Sequence, residues 1–301
     1  MNSMRNLKPK IIVILGPTAS GKSKLAVKIA KKVKGEIVSA DSRQVYKGLD
    51  IGAEKITKKE MNGVKHYMLD IIKPRKIYTV VQYQKAAKKI LKQIFKKRKI
   101  PLIAGGSGFY IDALIYDYKL PAIAPQKNLR KRLEKKSAAE LFKSLQSLDP
   151  KRATNIDPHN KRRLVRALEI VLKTGTPVPE LKKQSPYRIL KIGLRKSPNQ
   201  LRQLIGSRLK KTLKKGLVKE VEKLNREGLS WKRLEELGLE YRLTSYYLRG
   251  LISYEQMAKQ MQKEIYRYAK RQMTWFKKDK NIHWVKKQNR AYSLIKKFLL
   301  P

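Results

Sequence analysis

The segment GPTASGKS, residues 16–23, constrains the fold of this chain most strongly. It satisfies the pattern G-x-x-x-x-G-K-[ST], in which backbone N–H groups and a helix N-terminus surround a phosphate group. The pattern requires a buried strand before it and a helix after it. Residues 11–15, IIVIL, are typical of a buried strand, and Leu25, Ile29 and Val33 recur at helical spacing after the loop. The segment therefore predicts a strand, a phosphate-binding loop and a helix, in that order.

Strand and helix patterns continue to alternate through about residue 115. The stretch EIVSADS, residues 36–42, predicts a second strand, and YTVVQYQKAAKKILKQIFKKRK predicts an amphipathic helix. The stretch IPLIAGGSGFYIDAL predicts a third strand, a glycine turn and another helix. Such alternation is typical of a parallel sheet. We therefore predict an α/β fold with a P-loop NTPase-like parallel sheet core flanked by helices.

The pattern changes after this point. A basic stretch that opens with LPAIAPQKNLRKRLEKK predicts helices to about Leu181, and residues 174–186 resemble a linker. The stretch YRILKIGL predicts a strand that returns to the sheet, and the chain from Ser197 onward predicts helices, with Ser197 as N-cap and Pro198 in the first turn. A helical segment between sheet strands indicates an insertion. We expect a core of residues 1–116 and 186–301 and an inserted helical lobe of residues 117–185.

The charge of the chain indicates a polyanionic partner. Lysine and arginine number 73 against 23 acidic residues, which gives a net charge of +50. Compositional drift explains part of such an excess, but drift should also raise glutamate, and acids are scarce, so nucleic acid is the better partner prediction. The absence of cysteine excludes disulfides, thiolate catalysis and cysteine-based zinc sites, and the three histidines are scattered.

No apolar run reaches the ~18 residues that a membrane span needs, and IIVIL is too short for a signal peptide. We expect a cytoplasmic monomer.

The phosphate loop suggests particular chemistry. Lys22 supplies a positive charge to the terminal phosphate, and the Ser23 hydroxyl can ligate Mg²⁺. Motor NTPases also place an acid after a buried strand, whereas the strand PLIA ends in Gly105 and Gly106. The other strand is followed by Asp41, which can cap a turn or present a carboxylate at the ligand-binding edge of the sheet.

Five stretches taken together resemble one family, the tRNA dimethylallyltransferases. They are GPTASGKS, SADSRQVYKGLDIG, PLIAGGSGFYIDAL, LDPKRATNIDPHNKRRLVRALEI and YAKRQMTWF, and the resemblance runs from about Ile11 to Trp284. It implies that the loop holds dimethylallyl diphosphate, whose five-carbon group moves to N6 of the adenosine 3′-adjacent to a tRNA anticodon. The phosphates would then be a leaving group. The implied partners are this diphosphate and the anticodon stem-loop of tRNA, with Mg²⁺ as cofactor.

The resemblance also implies roles for individual residues. The catalytic set is Asp41, Lys22 and Arg208. The diphosphate-binding set is Gly16, Pro17, Thr18, Ala19, Ser20, Gly21, Lys22 and Ser23, with Ser23 also the metal ligand. The tRNA-binding set is Asp41, Ser42, Arg43, Gln44, Ser107, Arg130, Arg162, Arg163 and Arg166. Ser107 stands where the family usually has threonine, and GLEYRLTSYYLRG departs from the family's commoner segment.

A helical projection from Arg162 places Leu164, Leu168, Val171 and Leu172 on one side. Arg162, Arg166 and Lys173 fall opposite, with Arg163 on the flank. Such a helix can grip RNA or simply present a solvated basic face. Likewise, Trp275 and Phe276 can stack on bases or belong to the core.

Two other functions are compatible with the phosphate loop alone. A small-metabolite kinase would not need the basic insertion or the AKRQMTWF segment. A non-catalytic RNA-binding protein would not need an intact Lys22, Ser23 and Asp41. Both alternatives are therefore weaker than the transferase.

Overall fold

The computed structural model describes residues 8–286 and 288–300. These residues divide into two compact units: Met1–Asp117 with Gln184–Pro301 form one, and Tyr118–Lys183 form the other. The second unit falls inside the range 117–185 expected for the insertion. Among the described residues, no helix has both the length and the apolar character needed to cross a membrane.

The first unit contains one six-stranded sheet in the order β3-β2-β4-β1-β5-β6. Each neighbouring pair of strands is parallel, which confirms the predicted α/β parallel fold. The strands are β1 Lys10–Leu15, β2 Glu36–Ala40, β3 His66–Tyr67, β4 Pro101–Gly105, β5 Arg188–Leu194 and β6 Ile282–Val285.

Helices connect and flank these strands. Those before the insertion are α1 Lys22–Lys32, α2 Lys58–Met61, α3 Val80–Lys96 and α4 Gly108–Ile115. Those after it are α9 Pro198–Lys214, α10 Leu217–Arg226, α11 Trp231–Leu237, α12 Leu239–Leu248, α13 Tyr254–Lys277 and α14 Gln288–Leu299. The predicted start of α9 is confirmed, because Pro198 is its first residue and the Ser197 side chain accepts a hydrogen bond from Gln200 N.

The apolar run of β1 explains its place near the middle of the sheet. Residues 11–15 are all buried, because a parallel strand covered on both faces needs apolar side chains in both directions. One face packs against α1 through Leu25 and Ile29. A second apolar cluster joins the segment after β2 to α9–α13, with Leu49, Leu217 and Tyr241 among its buried members.

The expectation of helices throughout the chain after Ser197 is wrong at one element. Residues 282–285, IHWV, form β6, which pairs with β5. Four residues followed by lysines give too short a pattern to distinguish a strand from a loop. The strand β3 is shorter still and was likewise not predicted.

The second unit is a group of helices with its own apolar cluster. They are α5 Lys127–Lys135, α6 Ala138–Leu148, α7 Pro150–Ala153 and α8 Lys161–Thr174. The expected helical stretch to Leu181 is wrong, because α8 ends at Thr174, where Gly175 adopts a left-handed conformation. Leu164 and Leu168 are buried in the cluster as expected. Leu172, expected on the same side, is instead 50% exposed, because it lies in the last turn of α8, beyond the apolar cluster.

Candidate active site

Three loops meet at one edge of the sheet. The strands β2, β4 and β1 are adjacent and parallel, so the residues after their last positions lie side by side. Asp41 follows β2, Gly106 and Ser107 follow β4, and Gly16 follows β1. The backbone N–H of Ser42 donates to Ser107 Oγ at 3.2 Å, which links two of these loops. The topology therefore brings the phosphate loop and Asp41 together.

The phosphate loop requires glycine at its two ends. Gly16 has φ +147°, and a Cβ there would lie 2.9 Å from the Leu194 carbonyl oxygen. Gly21 has φ +89° and is the N-cap of α1, whose first residue is Lys22. Inside the loop, Ser20 Oγ is buried and has no hydrogen-bond partner among the described residues. A buried hydroxyl of this kind is a ready donor to an anion held by the loop.

A cavity of about 630 Å³ opens beside the loop. Ser23 is exposed there, in the first turn of α1, where a metal ion bound to phosphate oxygens could take its hydroxyl as a ligand. The side chains of Glu54 and Glu60 add carboxylates to the same cavity. The lining residues are Ala19, Gly21, Lys22, Ser23, Lys24, Val27, Lys28, Glu54, Ile56, Lys59, Glu60, Asn62 and Arg208.

Arg208 reaches the phosphate loop from α9. Its guanidinium donates to Thr18 Oγ1 at 2.8 Å and forms an ion pair with Glu54. Burial lowers the pKa of Arg208 to about 10, and the negative charges of Glu240 and Asp41 act in the opposite direction. Arg208, separated by 190 residues from Thr18, thus contacts the phosphate loop. Its contact with a diphosphate stays a prediction.

Lys22 is the second cation of the site. Its ammonium donates to the Pro17 carbonyl oxygen at 3.0 Å. Burial lowers the pKa of Lys22 to about 8, the neighbouring charge of Arg208 lowers it further, and the Asp41 carboxylate raises it. Two partly buried cations facing one cavity stabilise a bound anion more strongly than fully exposed ones would.

Asp41 uses only one of its two carboxylate oxygens to support the turn. Its Oδ1 accepts hydrogen bonds from the backbone N–H of Arg43 at 2.8 Å and of Gln44 at 3.4 Å. Its Oδ2 accepts no hydrogen bond from the described residues, so this oxygen can receive a proton from a substrate. The capping interpretation and the catalytic interpretation of Asp41 are therefore compatible.

The Gln44 side chain is held on both sides by the protein. Its Oε1 accepts from Ser39 Oγ at 3.0 Å, and its Nε2 donates to the carbonyl oxygens of Ala53 and Glu54 at 3.3 and 3.2 Å. These bonds fix the segment that carries Glu54 next to the cavity. A direct contact of Gln44 with tRNA stays a prediction.

Gln272 is a structural member of the site that sequence reasoning missed. It lies on α13 and is 6% exposed. Its Oε1 accepts from the backbone N–H of Thr18 at 2.8 Å, and its Nε2 donates to the Gly106 carbonyl oxygen at 2.9 Å. A Cβ at Gly106 would lie 2.2 Å from Gln272 Nε2, so a larger residue there would displace the Gln272 amide. The sequence feature that could have identified Gln272 is the AKRQMTWF segment, in which Gln272 falls on the buried face of the helix.

Glu240 is a second carboxylate near Asp41, and sequence reasoning missed it too. It lies in the first turn of α12. Burial raises the pKa of Glu240 to about 6, Arg208 lowers it, and Asp41 raises it.

The C-terminal aromatic pair has two different environments. Phe276 is 3% exposed and belongs to the interior. Trp275 is 36% exposed, and its indole N–H donates to Asp112 Oδ2 at 3.0 Å. Trp275 also explains Gly108, where a Cβ would lie 2.3 Å from its ring.

The arginines predicted to contact tRNA in the second unit fall into two pairs. Arg162 and Arg163 are exposed in the first turn of α8. Arg130, on α5, and Arg166, on α8, form ion pairs with the buried carboxylate of Glu169. Both Arg130 and Arg166 stay partly exposed, so each can still reach a phosphate.

Comparison with known proteins gives one consistent family. The model described as IPP transferase matches residues 44–279. The tRNA dimethylallyltransferase of Pelotomaculum thermopropionicum is 38% identical over 96% of this chain and 94% of its own length. That of Thermoanaerobacter sp. is 41% identical over 91% of each.

Solved structures agree with these relatives. The tRNA isopentenylpyrophosphate transferase of Bacillus halodurans superposes with a TM-score of 0.74 at 33% identity, covering 97% of both chains. A eukaryotic dimethylallyltransferase acting on tRNA gives a TM-score of 0.83 at 25% identity, covering 97% of this chain and 79% of that one.

Proposed function

The chain belongs to the IPP transferase family, and we propose that it transfers the dimethylallyl group of dimethylallyl diphosphate to N6 of the adenosine 3′-adjacent to a tRNA anticodon. The products are N6-dimethylallyladenosine in tRNA and free diphosphate. One observation carries the proposal at the level of chemistry: the Asp41 carboxylate follows β2 beside the phosphate loop, with Oδ2 left for a substrate proton.

The phosphate loop serves the leaving group in this proposal. The allylic C–O bond breaks and its electron pair goes to the diphosphate oxygen, so stabilising the departing charge is the main demand. Lys22 and Arg208 supply positive charge, while Thr18, Ser20 and the loop backbone donate hydrogen bonds. The Thr18 hydroxyl is already oriented, because its Oγ1 accepts a hydrogen bond from the Arg208 guanidinium at 2.8 Å.

Mg²⁺ is the proposed cofactor. The donor set supports it, since the exposed Ser23 hydroxyl lies in the first turn of α1 beside the cavity, and Mg²⁺ takes few protein ligands when phosphate oxygens and water complete its shell. When bound, it would neutralise charge on the diphosphate oxygens. Arg208 and Lys22 retain their roles in holding the same group.

Asp41 serves the nucleophile. The adenine N6 lone pair is delocalised into the ring, so N6 attacks poorly unless its proton has an acceptor. As the N6–C bond forms, the proton passes from N6 to Asp41 Oδ2, a general-base effect of ~10²–10⁴-fold. Ser42, Arg43, Gln44 and Ser107 are the proposed contacts of the adenosine, which must leave its stack to reach this buried site.

The basic insertion serves the tRNA. The proposed lobe of residues 117–185 carries Arg130, Arg162, Arg163 and Arg166, which we assign to the phosphates of the anticodon stem-loop. We propose a monomer as the active unit.

Diphosphate release tests the proposal directly. Purified protein with dimethylallyl diphosphate and Mg²⁺ should release diphosphate only when an unmodified tRNA is added. The same protein with ATP and tRNA should transfer no phosphate. Phosphate transfer from ATP to a small acceptor, without tRNA-dependent release from the prenyl donor, would instead identify a kinase.

A further inference from the structure

Glu169 is a fully buried acid in the basic second unit. It lies on α8 with 0% exposure, among apolar neighbours such as Leu168 and Ile170. Removing a carboxylate from water is costly unless several donors surround it. A hydrophobic residue would fill the same position of the helix without that cost, so the carboxylate needs an explanation beyond packing.

Four hydrogen bonds surround this carboxylate. Its Oε1 accepts from the backbone N–H of Gln126 at 2.6 Å and from Arg130 Nε at 2.7 Å. Its Oε2 accepts from Arg130 Nη2 at 2.7 Å and from Arg166 Nη1 at 2.5 Å. Burial alone would raise the pKa of Glu169, but the bonds from Arg130, Gln126 and Arg166 lower it to about 2. The carboxylate therefore stays charged and joins α5 to α8.

The same bonds orient the guanidinium groups of Arg130 and Arg166 and leave some of their N–H donors unused. Arg130 gives two N–H groups to Glu169, and Arg166 gives one to Glu169 and one to the Ile123 carbonyl oxygen at 3.2 Å. Each guanidinium has further N–H donors. Their side chains are 34% and 36% exposed, so the unused donors can reach a ligand. A guanidinium whose plane is already fixed loses less entropy when it binds a phosphate.

We propose that Glu169 is a positioning residue for tRNA binding, which holds Arg130 and Arg166 as one preformed clamp for backbone phosphate. The inference rests on the proposed function, which supplies the RNA. It adds a residue of the opposite charge to the proposed RNA-binding set. Arg162 and Arg163, which lack such a fixed partner among the described residues, would contribute charge without this orientation.

The effect of removing Glu169 on RNA affinity distinguishes a role of its charge alone from a role in orienting the clamp. If Glu169 contributed only a negative charge, its removal from a chain of net charge +50 would strengthen binding to RNA. If Glu169 orients the clamp, its removal weakens binding. In Glu169→Gln, the amide NH2 faces two N–H donors whichever way it is turned, because each carboxylate oxygen accepts two. At least one guanidinium must then leave its place.

The experiment compares Glu169→Gln with Glu180→Gln in the full chain. Glu180 belongs to the same unit but is 65% exposed, and its ion-pair partner among the described residues is the exposed Lys151 at 3.3 Å. Its variant therefore makes the same charge change without touching the clamp. Affinity for an unmodified tRNA transcript is measured against salt concentration. We expect Glu169→Gln to weaken binding on the order of tenfold and to reduce the salt slope by ~1–2 units, while Glu180→Gln binds as wild type or slightly more tightly.

A second variant tests the clamp independently in case Glu169→Gln does not fold. Arg130→Lys keeps the charge of the chain but cannot form the two-pronged bond, so binding should again weaken several-fold if orientation matters. In turnover assays, both variants should raise KM for tRNA several-fold and change KM for dimethylallyl diphosphate much less. A merely structural role of Glu169 would change the two KM values together.

Two results distinguish a failure of the clamp proposal from a failure of the proposed function. Folded Glu169→Gln and Arg130→Lys variants that bind tRNA as tightly as wild type, with an unchanged salt slope, would overturn the clamp and leave the proposed function intact. A wild-type chain that neither binds nor prenylates tRNA would overturn the proposed function itself.

Discussion

Replacing Asp41 with asparagine separates the two roles that its side chain combines. The Oδ1 atom accepts hydrogen bonds from Arg43 N and Gln44 N at 2.8 and 3.4 Å, and an asparagine amide oxygen can accept both. Asparagine is also a good capping residue. The amide NH2 then replaces Oδ2, which removes the group proposed to receive the N6 proton. The turn, and with it thermal stability, should change little.

The expected loss of rate follows from the role of a general base. We expect the turnover rate of Asp41→Asn to fall by ~10²-fold or more, within the usual range for such a group. The substitution also removes a negative charge that raises the pKa of Lys22, which is already lowered to about 8 mainly by burial. Because the substitution lowers the pKa of Lys22 further, diphosphate affinity is measured beside the rate, which separates loss of the base from loss of diphosphate binding.

A single-turnover assay with saturating tRNA is the appropriate measurement, because it isolates chemistry from product release. Asp117→Asn is the matched control, since that carboxylate lies outside the candidate site and pairs with the partly exposed Lys88. Affinities for tRNA and for dimethylallyl diphosphate should stay within a few-fold. A near-normal single-turnover rate for Asp41→Asn would refute the assignment, and Glu240→Gln would then test the second carboxylate of the site.

Three further predictions concern charge. Glu54→Gln should tighten diphosphate binding several-fold in calorimetry, because Glu54 pairs with Arg208 at the cavity and competes with the ligand for it. Unchanged affinity would mean that the Glu54–Arg208 pair does not compete with the ligand. Diphosphate affinity should fall as pH rises through about 8, because the charged form of Lys22 is lost there, and a flat profile to pH 9 would contradict this. Replacing Arg162 and Arg163 by alanine should reduce the salt slope of tRNA binding by ~1–2 units, and an unchanged slope would mark a solvated face.

Local sequence patterns predicted the parts of the site that lie on consecutive residues. The phosphate loop, its glycines and the strand before it follow from one segment and its flanks. Asp41 follows from a strand that ends in polar residues, since parallel strands present such ends at one edge, whereas Ser107 was indicated only by the family resemblance.

Partners that are distant in sequence could not be predicted in this way. Gln272 bridges Thr18 and Gly106 across more than half of the chain, and no spacing rule connects them. The ion pairs of Glu54 with Arg208 and of Glu169 with Arg130 likewise depend on tertiary packing, whereas Arg166 and Glu169 lie three residues apart on α8. In a helical projection, Glu169 is only one acid on a basic helix, and its burial emerges from the tertiary structure.

The central claim is that the phosphate loop holds a leaving group and that adenosine in tRNA receives the prenyl group. Mass analysis of nucleosides from an unmodified tRNA, incubated with the protein, dimethylallyl diphosphate and Mg²⁺, tests it most directly. We expect N6-dimethylallyladenosine at the position 3′-adjacent to the anticodon, absent when the prenyl donor is omitted. Unmodified adenosine at that position after complete incubation, with protein that binds both substrates, would contradict it.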